Sequence, residues 1–128
     1  DGVDEWGYVQ IVLDEIEAWR RNSYSFNGTT EQVFDVDVDN DTDNAEISNV
    51  MDVRLLLSID RSGTMEEGMR TVEMADEVIK NGNNDIVVGI DLGGNPTVGT
   101  GEFVSRFQPC LQRARDLGML VSVHTAEV

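Results

Sequence analysis

From Val53 onward, three short apolar runs recur about every thirty residues, the length of one strand–helix–strand unit. They are Val53–Ile59 (VRLLLSI), Ile86–Leu92 (IVVGIDL) and Met119–Val123 (MLVSV). Continuous apolar strands alternating with helices mean a parallel sheet covered by helices. A parallel α/β arrangement with right-handed crossovers is predicted.

The intervening segments read as those helices. Thr64 opens the first, with Glu67 three residues on as in a capping box. Met65, Met69, Val72, Ala75 and Ile79 form its apolar face, and Asn81-Gly82 stops it. A glycine-rich turn precedes the second, which carries Phe103, Phe107, Leu111, Ala114 and Leu117 and ends at Gly118. Ahead of the alternation, Trp6, Val9, Leu13 and Ile16 mark an amphipathic helix from Asp4 to Arg21. Between that helix and the first strand lies residues 23–52, rich in Asn, Asp, Ser and Thr. Its dense like charge predicts a disordered acidic insertion.

Acidic residues outnumber basic ones 25 to 9, for a net charge of −16, which repels phosphate backbones and anionic lipid. No nucleic-acid or membrane partner is therefore expected. No run approaches the ~20 apolar residues of a membrane span. The N-terminal Asp1-Gly2-Val3-Asp4-Glu5 lacks the basic and apolar regions of a secretory leader. One cysteine, Cys110, leaves no internal disulfide, so a reducing cytoplasmic setting fits. Three parallel strands leave two open edges, so residues 1–128 read as an internal fragment of one larger domain.

In parallel α/β folds, ligands gather at the carboxyl ends of strands. Here those ends deliver Asp60 and Arg61, then Asp91 and Gly93-Gly94-Asn95-Pro96, then His124 to Glu127. Each has a plainer reading. Asp60 can be a turn residue, Asp91 a structural hydrogen-bond partner, His124 a lone bonded histidine and Glu127 an exposed loop acid. The pairing of His124 with Glu127 on one strand end is what suggests a metal ligand beside a proton donor.

Two phosphate-binding readings of the glycine-rich turn fail. Thr100 stands where a P-loop needs lysine, and Val104 where a dinucleotide fingerprint needs its third glycine. Asp35, Asp37, Asp39, Asp41, Asp43 and Glu46 have the spacing of a calcium loop, yet Asn40 replaces the glycine of its sixth place.

The strand ends, Val53 to Arg61, Val87 to Gly99 and Val123 to Glu127, resemble the adenosine deaminase family. The SIDR and GNPTVG stretches point to its adenosine deaminase-like (N6-methyl-AMP deaminase) branch. The resemblance spans Val53 to Val128 and leaves out the acidic segment. It implies a (β/α)8 TIM barrel, of which this chain supplies about the third to fifth strands. It also implies a Zn2+-dependent hydrolase that removes the 6-amino or 6-methylamino group of a small purine nucleoside or nucleotide; a monomer is expected for the full-length protein.

Carried over position by position, His124 is a zinc ligand and Glu127 the catalytic proton donor. Gly94 is the glycine that lets the purine approach the backbone, and Asp60 a substrate-binding carboxylate. Thr125-Ala126 stand where the family usually has a small residue and a glycine, and Asn95 replaces the more common aspartate. The family's other zinc ligands have no counterpart here, so the fragment alone is expected to be inactive. The rival expectations are a non-catalytic barrel piece with a calcium-responsive acidic loop, and another zinc amidohydrolase of the same barrel type.

Overall fold

The computed structural model describes residues 4–26, 52–83, 85–97 and 103–125. The chain forms two compact units, Asp1–Val53 and Arg54–Val128. In the first, helix α1 spans Glu5–Phe26. The Asp4 carboxylate caps it, accepting from Gly7 N at 2.7 Å. Val9 and Leu13 of the expected stripe are buried, whereas Trp6 is exposed.

The helix outruns its expected end at Arg21 because nothing in the sequence stops it before Asn27-Gly28. Arg20 therefore lies inside α1 rather than in its last turn. It bonds Asp52 Oδ1 at 3.3 Å and Val53 O at 3.1 Å. The expected insertion thus begins as helix over 23–26. The remainder of the acidic segment, with its calcium-type spacing, lies outside the described residues.

The second unit realises the alternation. Strands β1 (Leu55–Asp60), β2 (Val87–Gly93) and β3 (Leu120–Val123) form one sheet in that order, each pair parallel. Helix α2 (Met65–Val78) connects the first two strands and α3 (Phe103–Asp116) lies between the second and third. Leu57, Ile59, Val87, Ile90 and Leu92 of the sheet are buried, as are Val72, Ala75 and Val78 of α2 and Phe107, Cys110 and Ala114 of α3. Burial pushes the Cys110 thiol up in pKa, and its Sγ donates to Met65 O at 3.4 Å. That makes Cys110 a packed core residue rather than a reactive one.

The Thr64–Glu67 capping box forms as the sequence predicts. Glu67 N donates to Thr64 Oγ1 at 3.2 Å, and Thr64 N donates to Glu67 Oε2 at 2.7 Å. Thr64→Ala should cost about 1 kcal/mol of stability, measured as a lower urea midpoint at unchanged slope. Hydrogen bonds from the Thr64 backbone, then from its side chain, hold the Glu67 carboxyl below its ordinary pKa. A lowered folded-state pKa adds stability above the unfolded value and loses it as pH falls through the folded one. The gap between wild type and Thr64→Ala should therefore narrow in acid.

At its far end α2 widens into a π turn over Ile79–Asn83, and Gly82 at φ 101° breaks the helix where Asn81-Gly82 was expected to. No helix among the described residues is long and apolar enough to cross a membrane.

Candidate active site at the strand carboxyl ends

Because all three strands run the same way, their carboxyl ends share one rim of the sheet. Three of the four residues singled out from the sequence, Asp60, Gly94 and His124, lie on it. The fourth, Glu127, lies outside the described residues.

Asp60 ends β1. Its Oδ1 accepts from Ser62 N and Ser62 Oγ, both at 2.8 Å, closing a tight turn ahead of α2. Those two bonds, the backbone one first, hold the carboxyl below its ordinary pKa, with a smaller contribution from the Arg61 charge. The turn reading of Asp60 is thus satisfied, and the same geometry keeps its carboxylate ionised at the rim.

Gly94 follows β2 with φ 105°, a conformation that a side chain strongly disfavours. A Cβ at this position would stand 2.5 Å from Asp60 Oδ1 and 3.2 Å from Arg61 N. The two rim residues therefore lie close together, and at this φ a side chain at position 94 would be strained as well as crowded. Beyond it, Asn95 Oδ1 accepts from Thr97 N at 3.0 Å and Thr97 Oγ1 at 2.8 Å. Only the oxygen of Asn95 is used, so an aspartate could make the same turn. The departure from the family's usual residue is structurally neutral on this count.

His124 leaves β3 with its N–H donating to Leu92 O at 2.9 Å. Its Nε2 stands 3.3 Å from Asp91 Oδ2, with the imidazole half exposed (48%) and the carboxylate largely covered (18%). Asp91 thus has the cross-strand partner expected of a carboxylate inside an apolar run. A histidine oriented by a carboxylate is also the form in which imidazole ligates metals. The rim fits zinc to the extent of one oriented ligand. Among the described residues, no group of three or more His, Cys, Asp or Glu could hold a metal ion.

Sequence reasoning placed Arg61 at the strand end but gave it no role. It is 5% exposed, and its Nε and Nη2 bond Gly93 O and His124 O, both at 3.3 Å. The available signal was the position itself, a charged side chain next to a strand-end aspartate.

No family model matches the chain. The N6-mAMP deaminase of Arabidopsis thaliana is 50% identical over 76 residues, 59% of this chain and 19% of that protein. The adenosine deaminase-like protein of Drosophila pseudoobscura pseudoobscura is 42% identical over 121 residues, 94% of this chain and 27% of that protein. The crystal structure of the Arabidopsis protein complexed with IMP superposes with a TM-score of 0.51 at 49% identity. It covers 59% of this chain and 20% of that one. The chain spans about a fifth of the length of the first of these relatives. Its parallel, helix-covered sheet is that of a partial (β/α)8 barrel, as the resemblance implies.

Proposed function

We propose, for a chain that belongs to the adenosine deaminase-like family, that it forms part of a hydrolase acting on the 6-amino or 6-methylamino group of purine nucleotides. N6-methyl-AMP is the favoured substrate. The observation that carries this reading is the convergence of Asp60, Gly94 and the Asp91-oriented His124 on one rim. Likeness to proteins named N6-methyl-AMP deaminases supports the substrate class, as do solved relatives holding the purine nucleotides IMP and GMP. A cytoplasmic enzyme fits a chain whose single cysteine is a buried thiol.

The residues divide the chemistry as follows. Gly94, lacking a side chain, lets the flat purine lie against the backbone after β2. Asp60, ionised and held by its turn, accepts hydrogen bonds from nucleotide donors. His124, oriented by Asp91, would hold one coordination position of zinc; the other ligands would come from residues beyond these 128, so the isolated chain should not turn over substrate. Zinc, when bound, acidifies a water so that a nucleophilic oxygen is present at neutral pH. Glu127 would give a proton to the ring nitrogen beside C6 as the oxygen adds to that carbon. As the C6–N bond breaks, the proton of the added hydroxyl passes to the departing amine or methylamine, and C6 becomes a carbonyl with the ring nitrogen keeping the proton from Glu127.

The test is turnover of adenosine, AMP and N6-methyl-AMP by the full-length protein, followed by release of ammonia or methylamine. The expected order places N6-methyl-AMP first in kcat/KM. No release from any of the three overturns the reading. Release from adenosine alone would move the assignment to nucleosides.

A further inference from the structure

Arg61 is the most buried charged side chain among the described residues. A guanidinium sequestered from water is tolerated only when its N–H groups find acceptors. Two of these acceptors are the rim carbonyls of the neighbouring strands. Arg61 N donates to Gly93 O at 2.9 Å, Nε approaches the same oxygen at 3.3 Å, and Nη2 reaches His124 O at 3.3 Å.

These carbonyls lie where the sheet's own hydrogen bonding runs out. The β1–β2 ladder ends at Asp60 and Gly93, and the β2–β3 ladder at Leu92 and Val123. One planar fork therefore continues the sheet past its last pairs and crosses all three strands. On one side it grips the residue before Gly94. On the other it grips the backbone of His124 itself. A lysine has the charge but not the fork, and its single nitrogen cannot replace both Nε and Nη2.

Resting on the deaminase reading above, we infer that Arg61 is a positioning residue that fixes the purine-side turn at Gly94 relative to the imidazole of His124. It touches neither substrate nor metal in this role. It acts by holding two halves of the site in register, and a misplacement of about 1 Å between reacting groups costs roughly 10²-fold in rate.

The test uses the full-length protein with Arg61→Lys and Arg61→Gly. Arg61→Lys keeps the charge and most of the length, so it is expected to fold. Its kcat/KM for N6-methyl-AMP should fall about 10²-fold, mostly in kcat. Arg61→Gly should lose more and regain at least about tenfold with millimolar guanidinium but not with methylammonium, since only the former supplies the fork. A residue that only supports folding would lower the melting temperature and leave kcat per folded molecule unchanged.

Amide exchange at His124 is the second readout and does not depend on turnover. It should quicken about tenfold in Arg61→Lys as the segment loses one anchor. Wild-type kinetics in Arg61→Lys would overturn the inference, as would a guanidinium effect equal to that on the wild type. If the wild type releases no amine from any purine, the functional reading fails. Exchange at His124 then decides the positioning role alone, and an unchanged rate rejects it.

Discussion

Glu127→Gln in the full-length protein should lower kcat for N6-methyl-AMP by about 10²–10⁴-fold while leaving KM and zinc content near wild type. Glutamine keeps the size and the hydrogen-bonding reach of the side chain but has no proton to give to the purine ring. The loss should therefore fall on the chemical step alone. Glu127 follows shortly after His124, whose backbone is tied down at both polar groups, N–H to Leu92 O and C=O to Arg61 Nη2. His124→Ala provides the contrast, since it should release zinc as well as abolish turnover. Steady-state kinetics with metal analysis separates the two roles. Undiminished kcat in Glu127→Gln would strike that residue from the mechanism, and zinc loss there would recast it as a ligand.

Much of this site could be read from the sequence because it depends on local facts. Apolar runs locate strands, a parallel sheet brings their carboxyl ends together, and counting to those ends places Asp60, Gly94 and His124 there, while their roles come from the family resemblance. Apolarity places the strand limits about one residue early, since pairing sets them. Asp60 and Gly93 are neither large nor apolar, yet they pair across β1 and β2, while Val53 and Arg54 precede the ladder.

Spacing also defines too narrow a face for α2. Met74 and Val78 are buried, whereas Met65, Met69 and Ile79 are only partly covered. The helix packs on α3 as well as on the sheet, so its buried arc is wider than a single stripe. Arg61 could not have been foreseen as a core residue. Arginine is ordinarily a surface residue, and its acceptors lie 32 and 63 residues away in sequence.

A second large effect should come from Gly89, a position with no chemistry at all. It looks like a weak point in an otherwise β-branched strand, and a glycine there is a signal of close backbone approach. Between Leu55 and Leu56 of β1 the pairing on β2 jumps from Val87 to Gly89, so Val88 bulges out of the ladder. A bulge rotates the strand locally. Gly89, which pairs with Leu120, consequently points its missing side chain into β3, where a Cβ would meet Leu120 C at 2.7 Å and Leu120 N at 2.8 Å, with the carbonyl oxygen nearer still.

The obstacle is backbone, which cannot swing aside as a flexible side chain would. Gly89→Ala must therefore push β3 off β2, at an expected cost of about 3 kcal/mol or more. Val121→Ala, which removes a side chain from the same strand without intruding on any backbone, should cost less. Urea unfolding of the full-length variants compares the two, and amide exchange at Val121 and His124 should show β3 opening in Gly89→Ala. Because β3 carries His124 to the rim, that variant should lose activity along with the strand, although Gly89 itself stands away from the site. A Gly89→Ala protein with wild-type midpoint and wild-type exchange would mean that close approach to Leu120 is not what position 89 requires of its residue.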